Sequence, residues 1–107
     1  MEKRKPNYDL KKIKTLLSSE RTREVTGLSQ RGAVSLGYMD VESMLSVIEK
    51  LTQKHFYKSM TVIGNSKIWQ DVYEIVDEQN SLYIKVQLSA DREKAIIVQF
   101  KEDEGGD

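Results

Sequence analysis

Cysteine is absent from this chain of 107 residues, and histidine occurs once, at position 55. Without cysteine there is no disulfide framework, no thiolate zinc site and no cysteine nucleophile. This favours a reducing compartment. A single histidine excludes ribonuclease chemistry that needs a pair of imidazoles. Neither D-x-D nor H-E-x-x-H occurs, so no metal and no other cofactor is expected. The glycines are scattered, and no G-x-x-x-x-G-K or G-x-G-x-x-G loop is present to cradle a nucleotide. No G-x-S-x-G elbow is present for a serine triad. No stretch approaches the ~20 apolar residues of a membrane span. The opening MEKRKP is basic, with no apolar run behind it, and is not a secretory signal. A cytoplasmic protein with no membrane partner is expected.

What the chain does have is 38% hydrophobic and 32% charged residues, enough for one modest core beneath a well-solvated surface. A single domain over 1–107 is expected, with 102–107 a frayed acidic tail. The net charge of zero is unevenly laid out. Every lysine and arginine lies within residues 1–101, while Glu102, Asp103, Glu104 and Asp107 cluster at the end. A mildly basic body is compatible with RNA, though common in ordinary proteins too.

The chain divides into a helical first half and a stranded second half. Asn7 is positioned to cap a helix bearing Leu10, Ile13, Leu16 and Leu17. Residues 20–25 lack a helical stripe and read as a short edge strand. Thr26 caps a second helix with Leu28, Ala33, Val34 and Leu36, ended by Gly37. Asp40 caps a third with Val41, Met44, Leu45, Ile48 and Leu51 on one face. After Lys54 the apolar period becomes two. Strands are expected at 55–63, 68–76, 82–89 and 94–101, with turns at 64–66, 77–81 and 90–93. In the third of these strands Leu82, Ile84, Val86 and Leu88 face one way and Tyr83, Lys85, Gln87 and Ser89 the other. In the last, Ile96, Val98 and Phe100 are set against Ala95, Ile97, Gln99 and Lys101. Short turns favour an antiparallel meander. The fold class is therefore α+β, a mostly antiparallel twisted sheet with helices packed on one face. Phe56 and Trp69 are expected in the core, and His55 at a partly exposed strand start.

The open sheet face is where function would sit. Lys58, Gln70, Tyr73, Tyr83, Lys85 and Lys101 all lie on neighbouring strands. Lysine and tyrosine transfer protons when their surroundings tune them, and clustered cations bind phosphate and depress one another's pKa. Lysines on an open face are also simply solubilising, so residue types alone leave both readings open.

The blocks Phe-Tyr-Lys-Ser-Met-Thr at 56–61, Ile-Trp-Gln-Asp-Val-Tyr at 68–73, Leu-Tyr-Ile-Lys at 82–85 and Val-Gln-Phe-Lys-Glu at 98–102 occur in this order. With the opening Glu-Lys-Arg-x-Pro at 2–6, they resemble the MqsR family of mRNA interferase toxins across nearly the whole chain. The resemblance implies a RelE-like α+β fold. It implies ribosome-independent cleavage of single-stranded mRNA at short GC-containing triplets, inhibiting translation and growth. It also implies a cognate antitoxin, often a zinc-binding helix-turn-helix protein, through which alone operator DNA would be contacted. By the matching blocks, the catalytic residues would be Lys58, Gln70, Tyr83 and Lys101, with Met60 carried over as a substrate contact. Lys85 and Tyr73, placed by the strand pattern, are expected as further substrate contacts. The family's Asp-His before the tryptophan is here Asn65-Ser66, and the tail beyond Glu102 lies outside the family pattern.

Metal-free cleavage requires the ribose 2′-hydroxyl to attack the adjacent phosphate in line. A group must accept its proton, others must stabilise the phosphorane, and another must protonate the leaving oxygen. Lys58 and Lys101 suit phosphate stabilisation, Tyr83 proton transfer, and Gln70 orientation of base or phosphate. Lys58 as the base would need a strongly lowered pKa. An RNA-binding module without cleavage, or a protein-interaction domain, are the competing functions.

Overall fold

The computed structural model describes residues 1–105. Among these, the elements run β1 (Glu2–Lys3), α1 (Leu10–Leu17), β2 (Arg23–Val25), α2 (Gly27–Ser35), α3 (Val41–Lys50), β3 (Phe56–Val62), β4 (Asn65–Asp77), β5 (Asn80–Leu88) and β6 (Ala95–Glu102), with a 3-10 turn at Gln53–His55. The six strands form one sheet in the order β1-β3-β4-β5-β6-β2. β3 to β6 are the expected antiparallel meander. The strand expected in 20–25 is the edge strand β2, and it lies parallel to β6. The architecture is α+β, as the change of period implied.

Helices α1 and α3 bury the apolar faces their sequences present: Leu10, Ile13 and Leu17 from one, and Met44, Val47 and Ile48 from the other. They pack on a sheet face formed by Tyr73, Ile75, Leu82, Ile84, Val86, Leu88, Ala95, Ile97 and Phe100. Helix α2 departs from the expected stripe. Leu28 and Val34 are exposed, and the helix buries Ser29 and Ala33 instead. Small residues at 29, 32 and 33 let its backbone approach β6 closely. A Cβ built on Gly32 would stand 2.2 Å from the Phe100 carbonyl oxygen.

Asp9, not Asn7, caps α1, accepting from the Lys11 amide at 3.1 Å. Asn7 is engaged elsewhere, because its backbone N–H and that of Tyr8 donate to the carboxylate of fully buried Asp71. Thr26 and Asp40 cap α2 and α3 as expected. The β3–β4 turn is tighter than expected: β4 begins at Asn65, and Gly64 supplies a φ of +86°. In β6 a register shift falls between the pairs Lys85↔Gln99 and Val86↔Ile97, leaving Val98 as a bulge. The bulge resets the alternation, so Ala95, Ile97 and Phe100 all face the core, correcting the strict alternation expected of this strand. Of the tail, Glu102 ends β6 and the Asp103 N–H donates to the Ser81 carbonyl at 2.8 Å. Gly106 and Asp107 lie outside the described residues.

Candidate active site

The helices cover one face of the sheet, and the ladder fixes what stands on the other. Lys58 lies opposite Val72, Val72 opposite Lys85, and Lys85 opposite Gln99. One step along β4 towards its end, Glu74 lies opposite Tyr83, and Tyr83 opposite Lys101. One step in the other direction, Met60 lies opposite Gln70, whose Nε2 donates to Gln87 Oε1 at 2.8 Å. Side chains two apart on a strand share a face. Lys58, Met60, Gln70, Tyr83, Lys85 and Lys101 therefore stand on one surface formed by β3, β4, β5 and β6.

A cavity of about 140 Å³ opens there, lined by Tyr57, Lys58, Glu74, Tyr83, Lys101 and, from the tail, Asp103 to Gly105. The Lys101 ammonium lies 4.9 Å from the centre of the Tyr83 ring, and Lys85 lies 5.9 Å from it. Lys58 lies 5.2 Å from the Tyr57 ring centre. Cations held against ring faces keep their charge directed at whatever enters between them.

Two expectations need correction. Tyr73 is only 1% exposed and sits in the core, its ring 5.6 Å from Phe56. One residue out of step with Gln70 and Val72, it faces the helices, so a substrate on the open face does not meet it. Trp69 is not in the core but half-buried near the edge of the helix-covered side, with the Lys3 ammonium 4.3 Å from its ring centre. Phe56 does pack against the core. His55 is half-buried, its Nδ1 accepting from the Thr52 N–H at 2.9 Å.

The cations do not all depress one another. Lys58 is 9% exposed and donates to Glu2 Oε2 at 2.8 Å. That bond holds its pKa above the ordinary lysine value, against burial. Glu2 is correspondingly lowered, first by the same bond. Strand β1, paired through Glu2↔Met60, delivers this carboxylate. Lys85 behaves as clustered lysines should. Burial, then Lys101 and Lys58, push its pKa down. Burial raises Tyr83, keeping its hydroxyl protonated and donating. Glu74 is raised by burial and then by facing Asp103.

Sequence reading passed over Glu2, Tyr57 and Glu74. Glu74 carried a signal, the same period of two that groups Gln70 with Val72. Tyr57 carried none, because a register shift between Phe56 and Lys58 is what lets it join Lys58 at the cavity. Glu2 meets Lys58 only through the fold. Among the described residues, no three of His, Asp and Glu converge to hold a metal ion. No helix among the described residues is long and apolar enough to cross a membrane.

Residues 5–102 match the protein family described as motility quorum-sensing regulator, toxin of MqsA. The chain is also 37% identical over 102 residues to the mRNA interferase toxin MqsR of Escherichia coli strain K12, an alignment covering 95% of this chain and 99% of that protein.

Proposed function

As this chain belongs to the MqsR toxin family, we propose that it is an endoribonuclease, an mRNA interferase, whose cutting site is the open sheet face around Lys58, Tyr83 and Lys101. The substrate is single-stranded mRNA, cut at short GC-containing motifs without metal or ribosome. A cognate antitoxin restrains it, of the helix-turn-helix and zinc-binding kind, and operator DNA is reached through that partner only.

The observation that carries this reading is the gathering of two cations and a protonated phenol around one cavity on an otherwise uncovered face. The phosphorane formed by 2′-hydroxyl attack carries more negative charge on its equatorial oxygens than the diester does. Lys58 and Lys101 stabilise that added charge. Preorganised donors of this sort contribute about 10²–10³-fold each. Glu2 steadies Lys58 from its far side, so the ammonium stays charged and fixed before substrate arrives. A lysine whose pKa is raised makes a poor proton acceptor, so Lys58 serves as an electrostatic group and not as the base. Tyr83, held protonated, donates to the phosphoryl or leaving oxygen. Gln70, held by Gln87, and Met60 present an amide and a soft apolar surface to the bases beside the cut. Lys85 binds phosphate at the centre of the face.

Incubation with single-stranded RNA in EDTA is expected to give discrete fragments bearing 5′-hydroxyl and 2′,3′-cyclic phosphate ends. A single 2′-deoxyribose at the cut position is expected to leave the RNA intact. Fragments with 5′-phosphates, or cleavage that needs a divalent cation, would show that the chemistry is not 2′-hydroxyl attack.

A further inference from the structure

One of the reaction's tasks is unfilled by the residues named so far. Glu2 keeps Lys58 protonated and burial keeps Tyr83 protonated, so neither is ready to take a proton from a 2′-hydroxyl. His55 does not line the cavity of Lys58, Tyr83 and Lys101. It borders a second opening that it shares with Glu74 and Asp103, and its Nδ1 is taken by the Thr52 N–H. Glu74 lines both openings. It stands directly across the ladder from Tyr83, and Tyr83 stands across from Lys101. Side chains opposite one another on adjacent strands have Cβ atoms about 5 Å apart. A carboxylate is thus placed among the phosphate-binding cations, on a face where phosphate binding alone would not call for one.

Resting on the interferase reading, we propose that Glu74 accepts the 2′-hydroxyl proton and that Asp103, carried in by the C-terminal tail, tunes it. The hydroxyl proton passes to the Glu74 carboxylate as the O2′–P bond forms. The P–O5′ bond breaks, and O5′ takes the phenolic proton of Tyr83. Glu74 then returns its proton to the Tyr83 phenolate across the ladder, and both groups end as they began.

The tail is fixed for this task. The Asp103 N–H extends the β5–β6 ladder through Ser81, and the Asp103 Oδ1 accepts from the Gly105 N–H at 3.0 Å. Asp103 lies just beyond the matched residues 5–102. Burial and the facing Asp103 raise Glu74, while Lys58 from β3 opposes them. Tyr57, Tyr83, Lys101 and Glu104 complete the groups around it in the cavity. A carboxylate raised from its ordinary value is a stronger base than an unperturbed one. Lys85, lowered on the same face, is the rival acceptor.

The test is single-turnover cleavage of one RNA oligonucleotide in EDTA across pH, for the wild-type chain, Glu74→Gln and Asp103→Asn. The wild-type rate is expected to fall on the acid side as Glu74 protonates. Glu74→Gln is expected to lose about 10²-fold or more at neutral pH. It should bind an uncleavable 2′-O-methyl oligonucleotide at least as tightly, because a negative charge has gone. Asp103→Asn removes the facing charge, so Glu74 ionises more easily and the acid limb moves to lower pH. Cleavage by Glu74→Gln as fast as wild type, or faster, would overturn the proposal and leave Lys85 or His55 as the acceptor. An acid limb unmoved in Asp103→Asn would overturn the tuning. A wild-type chain that leaves RNA intact would overturn the interferase reading itself, and this proposal with it.

Discussion

Lys58→Ala is expected to lower the single-turnover rate of RNA cleavage by about 10³-fold while the protein still folds. Lys58 is buried against the sheet with its ammonium pinned by Glu2, so its charge needs no rearrangement when the phosphorane forms. Low surrounding dielectric strengthens that interaction relative to a solvated lysine. Removing the side chain leaves Glu2, whose side chain is 46% exposed and can be hydrated. The thermal midpoint should therefore shift little, as for most ion pairs with a solvated member. Lys58→Arg keeps a charge but replaces a compact ammonium with a planar fork of different geometry, and only partial recovery is expected. Cleavage within tenfold of wild type in a folded Lys58→Ala would remove Lys58 from the reaction.

Gly32→Ala is expected to destabilise the fold by about 3 kcal/mol, although alanine is the better helix former. The propensity gain is about 1 kcal/mol in an exposed helix. It is outweighed because the new methyl would sit 2.2 Å from the Phe100 backbone carbonyl. A backbone group in a sheet ladder cannot swing aside as a side chain can, so α2 must lift from β6. The lift would loosen Ala33 and the edge-to-face contact of Tyr38 on Phe100, whose ring centroids are 5.1 Å apart. In a domain of this size the thermal midpoint falls by roughly 10–20 °C for such a loss. Circular dichroism melts decide it. A midpoint equal to or above wild type would mean that α2 rides more loosely on β6 than described. Lys101 follows Phe100 in β6, so a partly folded Gly32→Ala protein should also cleave poorly, through displacement and not through lost chemistry.

Where periodicity was clean, the fold could be read directly. The faces of α1 and α3 and the alternation of β5 follow from residue spacing, because those elements bury large side chains against a flat partner. Helix α2 resisted because its packing rests on small residues: Ser29, Gly32 and Ala33 leave no apolar stripe, while Leu28 and Val34 point outward. β6 resisted because one bulge at Val98 exchanges its faces midway. The same logic separates the site residues. Lys58, Gln70, Tyr83, Lys85 and Lys101 were nominated from strand patterning and conspicuous blocks, and the ladder brings them to one face. Tyr73 belonged to the same conspicuous block as Gln70, but odd and even positions of β4 face opposite ways, and its block membership concealed its burial. The charge state of Lys58 was not legible at all. Its partner lies 56 residues away in sequence, and only the pairing of β1 with β3 joins them.

On this mechanism RNA is held and cut on the uncovered sheet face. Backbone and lysine-amine chemical shifts, followed while a 2′-O-methyl oligonucleotide that resists cleavage is added, test this most directly. The expected perturbations centre on Lys58, Met60, Gln70, Tyr83, Lys85 and Lys101, fade across Gln87, and leave α1, α2 and α3 unmoved. Perturbations gathered on the helices, with the β3–β6 face silent, would contradict it.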